Sequence, residues 1–127
     1  VPPEPIEDSF SAVEVVEQCL VIGDGRKFVS AVMVPNIDHI RDWADEEGVS
    51  IPDDPEGICH DEDVRGYIDD EVDEVNREFE EYERIKKFVL VPEEWTEENG
   101  LLTPTLKKKR HKIVDAYEEE IESMYPD

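Results

Sequence analysis

Two apolar runs, Cys19-Leu20-Val21-Ile22 and Ala31-Val32-Met33-Val34, stand either side of Gly23-Asp24-Gly25, and they limit what this chain can fold into more than any other feature. Neighbouring residues of a strand face opposite sides of a sheet, so an unbroken apolar run needs cover on both. The glycine-flanked aspartate is a hairpin turn signal. Val13 to Ile22 and Lys27 to Val34 are therefore expected to pair as central strands, with helices over at least part of both faces. This hairpin is the expected seed of the core.

The remaining elements follow from periodicity and punctuation. Pro2, Pro3 and Pro5 read as a linker, and Ile6 to Ala12 as a short helix at most. Pro35 stops the second strand, and Asn36 can cap a helix carrying Ile37, Ile40, Trp43 and Ala44 on one face and ending at Gly48. Val49 to Cys59, with Pro52, Pro55 and Gly57, reads as a loop. From Asp61 a second helix places Val64, Ile68, Val72, Val75 and Phe79 at intervals of three and four, and Lys86 to Val91 forms a third strand. The order β-β-α-α-β-α predicts an α+β fold: a three-stranded sheet, hairpin plus one later strand, packed with about three helices. Residues 1–127 suffice for a single domain with one modest core.

Glu98 to Ile113 holds five of the chain's thirteen Lys and Arg residues: Lys107, Lys108, Lys109, Arg110 and Lys112. Asn99-Gly100 signals a turn, Thr103 or Thr105 can cap a helix, and Pro104 suits a first helical turn. A helix is expected from about Thr105, with Leu106, Ile113, Val114, Tyr117, Ile121 and Met124 on its buried face. Its charges would oppose the helix dipole, cations at the start and Glu118, Glu119, Glu120 and Glu122 at the end. Each misplaced charge costs roughly 0.3–1 kcal/mol. Two readings stay open on these grounds: a basic patch relieving an acidic chain, or a site for a phosphate or carboxylate oxygen.

The same residues carry a resemblance. Glu97-Glu98-Asn99-Gly100-Leu101-Leu102-Thr103-Pro104-Thr105-Leu106-Lys107, followed by Lys109-Arg110, resembles the C-terminal lysine motif of long-chain fatty acid–CoA ligases, members of the AMP-forming acyl-adenylate superfamily. Ile22 to Phe28 with Val34-Pro35-Asn36 is similar to that family's first hairpin, and Phe88 to Pro92 to its strand before the lysine loop. The resemblance implies a C-terminal lid domain whose much larger N-terminal adenylation domain, absent here, binds ATP, Mg2+ and the fatty acid. It implies acyl-AMP formation followed by transfer to coenzyme A, with the isolated chain inactive. It places the catalytic lysine on Lys107, with Gly100, Thr103, Pro104 and Thr105 positioning its loop. Many relatives carry glycine where Leu106 stands, and an apolar residue where Lys108 stands, so Lys108 and Lys109 compete for the register. The alternative is a stand-alone acidic interaction module whose basic stripe binds an anion.

Other chemistries lack their signatures. The chain has no Gly-rich Ser/Thr phosphate loop, no GxGxxG and no Walker sequence. Asp53, Asp54, Glu56, Asp61 and Asp63 lack calcium-loop spacing, and the pair Cys59-His60 lacks the second pair a zinc site needs, so no metal is expected. No apolar run approaches bilayer length, so no transmembrane segment is expected. Two cysteines give no disulfide framework and point to a reducing cytoplasm. The opening Val1-Pro2-Pro3, with neither Met nor a targeting pattern, is expected of an excised piece.

Thirty-six acids against thirteen Lys and Arg give a formal charge of −23. A surface of that sign repels nucleic acid, and the periodic apolar residues argue against disorder. Such a chain repels itself where the Debye length is about 8 Å and much less where molar salt shortens it to about 3 Å. The charge suggests a halophilic source with a salt-rich cytoplasm. The midpoint of thermal unfolding is expected to climb with KCl up to molar concentration; a flat or falling curve rejects this reading.

Overall fold

The hairpin forms in the computed structural model, which describes residues 1–126. Strands β1 (Val16–Ile22) and β2 (Val29–Pro35) pair antiparallel, with Leu20 opposite Val32 and Ile22 opposite Ser30. A third strand, β3 (Ile85–Leu90), pairs parallel to β2, giving the order β1-β2-β3 and a mixed sheet. A parallel neighbour cannot be reached by a tight turn, so the chain crosses over through α2 (Ile37–Glu47), α3 (Pro55–His60) and α4 (Glu62–Asn76).

Both faces of the sheet are covered, which is what the unbroken apolar runs require. Cys19, Val21, Ala31 and Met33 point into one core layer with Ile6 and Phe10 of α1 (Glu4–Phe10), Ile40 of α2, Ile58 of α3 and Val64, Ile68 and Val72 of α4. Leu20, Val32 and Val34 point into the other, with Trp95, Leu102, Ile113 of α5 (Arg110–Ala116) and Ile121 of α6 (Glu118–Ser123). The α+β fold with a three-stranded sheet is as expected.

Only β2 is central, and all seven of its positions are buried. The expectation that both hairpin strands are central is corrected: β1 lies at an edge, and its apolar run reports cover on its two faces rather than a neighbour on each side.

Local signals fix most element boundaries. Asn36 accepts a hydrogen bond from the His39 N–H at 3.1 Å and starts α2, while Gly48, at φ 67°, ends it in the left-handed region. Asp61 caps α4 the same way through the Val64 N–H at 3.1 Å.

Four expectations are corrected. Pro5 belongs to the first turn of α1 rather than to a linker, because proline tolerates that turn. The stretch expected as a loop contains α3, started by Asp54 and Pro55, and this buries Cys59. Six α-helices are described where about three were expected. The single C-terminal helix from Thr105 is instead α5 and α6, broken at Tyr117, where φ is −117° and ψ 29°.

That break removes the charge conflict in part, since Glu118, Glu119 and Glu120 lie in the first turn of α6, where negative charge is favoured. The layer beneath α5 and α6 is expected to be stability-determining. Ile113→Ala, at a position 0 % exposed, is expected to lower unfolding free energy by about 2–5 kcal/mol in a denaturant titration. A loss under about 0.5 kcal/mol, as at a surface position, would show that this layer does not hold the domain.

Candidate functional site

The segment from Trp95 to Lys109 is irregular, yet nearly every turn of it is tied down. Trp95 is buried, and its backbone N–H donates to Gln18 Oε1 at 2.7 Å while Gln18 Nε2 donates to the Trp95 carbonyl at 2.9 Å. Its indole N–H reaches the Tyr117 hydroxyl at 3.1 Å. Thr96 and Asn99 exchange side-chain-to-backbone hydrogen bonds, both 3.0 Å. Gly100 then takes φ 80°, a conformation that costs a side chain dearly.

Beyond Gly100 the chain doubles back. Leu102 and Lys108 form an antiparallel bridge, and between them the Thr103 N–H donates to the Lys107 carbonyl at 2.8 Å. The Thr103 hydroxyl oxygen accepts from the Lys107 N–H at 3.0 Å and lies 3.2 Å from that of Thr105. Leu106, at the tip, has φ 64° and is 69 % exposed. No helix can run through that residue, which is why α5 begins only at Arg110. Leu106 is accordingly no part of the buried face expected of it, and Pro104 lies in the exposed tip rather than in a first helical turn.

The three adjacent lysines are not equivalent. Successive side chains of a bridged segment alternate sides. Lys108 points onto the domain, its ammonium 3.1 Å from Glu7 Oε1 and 2.5 Å from the Cys19 carbonyl. Lys107 is exposed at the tip, and among the described residues its amine has no partner. Lys109 is exposed too, but it stands at the start of α5 and its N–H donates to the Leu101 carbonyl at 2.9 Å.

Arg110 joins Lys108 on the same carboxylate, donating to Glu7 Oε1 at 2.7 Å. The basic stripe is thus not a continuous free surface, since two of its five cations are engaged by one acid. Glu7, its side chain 5 % exposed, was not a candidate by sequence. The available signal was weak, since Glu7 and Asp8 both lie between buried Ile6 and Phe10 on a short helix and only Glu7 is turned inward. Gln18 was equally hidden, a single amide inside a strand.

Thiol chemistry has no place here. Burial pushes the Cys19 thiol up to about 12 and the Cys59 thiol up to about 11, so neither ionises near neutrality. Among the described residues no group of three His, Cys, Asp or Glu side chains converges as a metal site would require, and no helix is long and apolar enough to cross a membrane.

The family described as AMP-binding enzyme C-terminal domain matches residues 1–127. A long-chain-fatty-acid–CoA ligase of Mycobacterium tuberculosis is 30% identical over 129 residues, covering 98% of this chain and 21% of that protein. The peroxisomal long chain acyl-CoA synthetase 7 of Arabidopsis thaliana is 36% identical over 126 residues, covering 97% and 18%. The chain therefore spans about a fifth of the length of these curated relatives. Among solved structures, the A-PCP didomain of a carboxylic acid reductase from Segniliparus rugosus, in complex with AMP, superposes with a TM-score of 0.75 at 25% identity, covering 97% of this chain and 16% of that one.

The order of the lysine loop can be measured directly. Thr103→Val keeps the shape and removes the hydroxyl acceptor of the Lys107 N–H, which is worth about 1 kcal/mol. Amide hydrogen exchange at Lys107 is expected to speed about fivefold with the unfolding midpoint almost unmoved. Unchanged exchange would mean that the hydroxyl does not hold the tip.

Proposed function

The chain belongs to the family of AMP-binding enzyme C-terminal domains, and from that premise we propose that residues 1–127 are the single lid domain of a long-chain fatty acid–CoA ligase, with Lys107 as its adenylation lysine. The partner in this reading is an N-terminal adenylation domain of the same polypeptide, which binds ATP, Mg2+ and the fatty acid. The observation that carries the reading is an exposed lysine, without a partner among the described residues, at the tip of a pinned loop in a chain that matches long-chain ligases over nearly all its length.

The reaction has two halves. The fatty acid carboxylate attacks the α-phosphate of ATP, forming the acyl–phosphate bond of acyl-AMP and releasing pyrophosphate. The coenzyme A thiol then attacks the acyl carbon, loses its proton, and displaces AMP. In the first half two anionic groups must approach, and a fixed ammonium between them is worth most as charge shifts in the transition state.

A lysine is suited to this because its charge is compact and its stem reaches. Gly100, Thr103, Pro104 and Thr105 contribute by shaping the tip. Thr103 does so through two hydrogen bonds to the Lys107 backbone, and Gly100 by the turn that sends the chain back. The chain alone lacks a nucleotide pocket of the usual sequence types and is inactive in this reading. Coenzyme A enters as co-substrate, and the two unpaired cysteines support a reducing cytoplasm as the working compartment.

The stand-alone interaction module has no comparable support, because Lys108 and Arg110 of its proposed stripe are occupied by Glu7. In the full-length polypeptide, Lys107→Ala is expected to slow ATP–pyrophosphate exchange a hundred- to a thousandfold, about 2.7–4 kcal/mol. Thioester formation from supplied acyl-AMP should change far less. Lys109→Ala should cost little in either half. Equal losses for Lys107→Ala, Lys108→Ala and Lys109→Ala would sink the assignment to one lysine.

A further inference from the structure

We propose that Glu7 is a positioning residue for Lys107, acting through Lys108 and Arg110. The inference rests on the reading above, in which Lys107 serves adenylation, and adds the device that sets its direction.

The device begins at the free edge of β1. In an antiparallel pair, alternate residues turn their N–H and C=O groups toward the partner strand and the residues between turn theirs away. Cys19 and Val21 turn theirs away from β2. Among the described residues no strand lies beyond them, and side chains take its place: Lys108 donates to the Cys19 carbonyl at 2.5 Å, the Val21 N–H donates to Glu7 Oε2 at 2.7 Å, and Arg110 donates to the Val21 carbonyl at 3.4 Å. The lysine loop is thus docked on the sheet edge through its alternate residues.

Glu7 is the common member. Its Oε1 receives Lys108 at 3.1 Å and Arg110 at 2.7 Å, and its side chain is 5 % exposed while theirs are 29 % and 35 % exposed. Removing the negative charge leaves two half-buried cations side by side without the acid they share, and both are exposed enough to turn toward water. Lys108 then has less reason to point inward. Because Lys107 and Lys108 lie on opposite sides of the bridged segment, the inward pull on Lys108 is what aims Lys107 outward. Glu7 touches neither substrate nor nucleotide in this account.

The test uses Glu7→Gln and Lys108→Met in the full-length polypeptide, each alone and each combined with Lys107→Ala. Glu7→Gln keeps the shape and an acceptor for the Val21 N–H. Lys108→Met is part-exposed and leaves Glu7 with Arg110, so it tests the aim of the loop even if the glutamine variant folds poorly. Readouts are kcat and KM for ATP in pyrophosphate exchange, thioester formation from supplied acyl-AMP, and the thermal midpoint.

Both variants are expected to lose about tenfold in exchange kcat, with KM for ATP and thioester formation within about twofold, and neither should add further loss to Lys107→Ala. Equal losses in both half-reactions, or the same loss repeated on the Lys107→Ala background, would show a merely structural acid and overturn the inference. Unchanged exchange in both variants, with Lys107→Ala still severely impaired, would overturn the inference and leave the ligase reading intact. Unchanged exchange in Lys107→Ala itself would overturn that reading and this inference together.

Discussion

Everything in this domain depends on burying both faces of a two-stranded hairpin. β2 has no exposed position, and β1 alternates Cys19 and Val21 into one core layer with Leu20 in the other. One layer is supplied by α1 to α4, the other by Trp95, the lysine segment and the two C-terminal helices. The second layer is the smaller, and the lysine loop is built over it. The candidate site is consequently not an appendage, because Leu102, at its base, is a core residue.

A three-stranded sheet must also satisfy the outward backbone groups of its edge strand β1. Here the two needs are met together. Side chains that close the edge of β1 come from the first helix and from the residues flanking the exposed lysine, so edge protection and loop placement are one arrangement. A cation beside the start of α5 would by itself be unfavourable. Glu7 offsets it, as the ion pair with Arg110 places a carboxylate against the same turn.

The sequence revealed the fold wherever a local signal had a single physical meaning. Asn36 and Gly48 bracket a helix because an amide cap and a left-handed glycine do little else at that spacing. The apolar runs announced two covered faces but carried no information on lateral neighbours, so the edge position of β1 was invisible. The single long C-terminal helix was expected because Leu106 fell in phase with Ile113. Local hydrogen bonds between Thr103 and Lys107 and the bridge from Leu102 to Lys108 override that phase. At the site, motif residues were legible as a set, whereas Glu7 and Gln18 were not. Their roles arise from partners roughly eighty to a hundred positions away, and no periodicity encodes such a contact.

In the proposed function the Lys107 amine meets nucleotide phosphate. An adenosine polyphosphate carrying an aldehyde at its phosphate end, bound to the full-length polypeptide, reduced with borohydride and mapped by peptide mass spectrometry, reads that contact most directly. The account predicts covalent label on Lys107, protected by ATP, and none on Lys108. Label confined to Lys108 or Lys109, or spread over surface lysines without ATP protection, would contradict it.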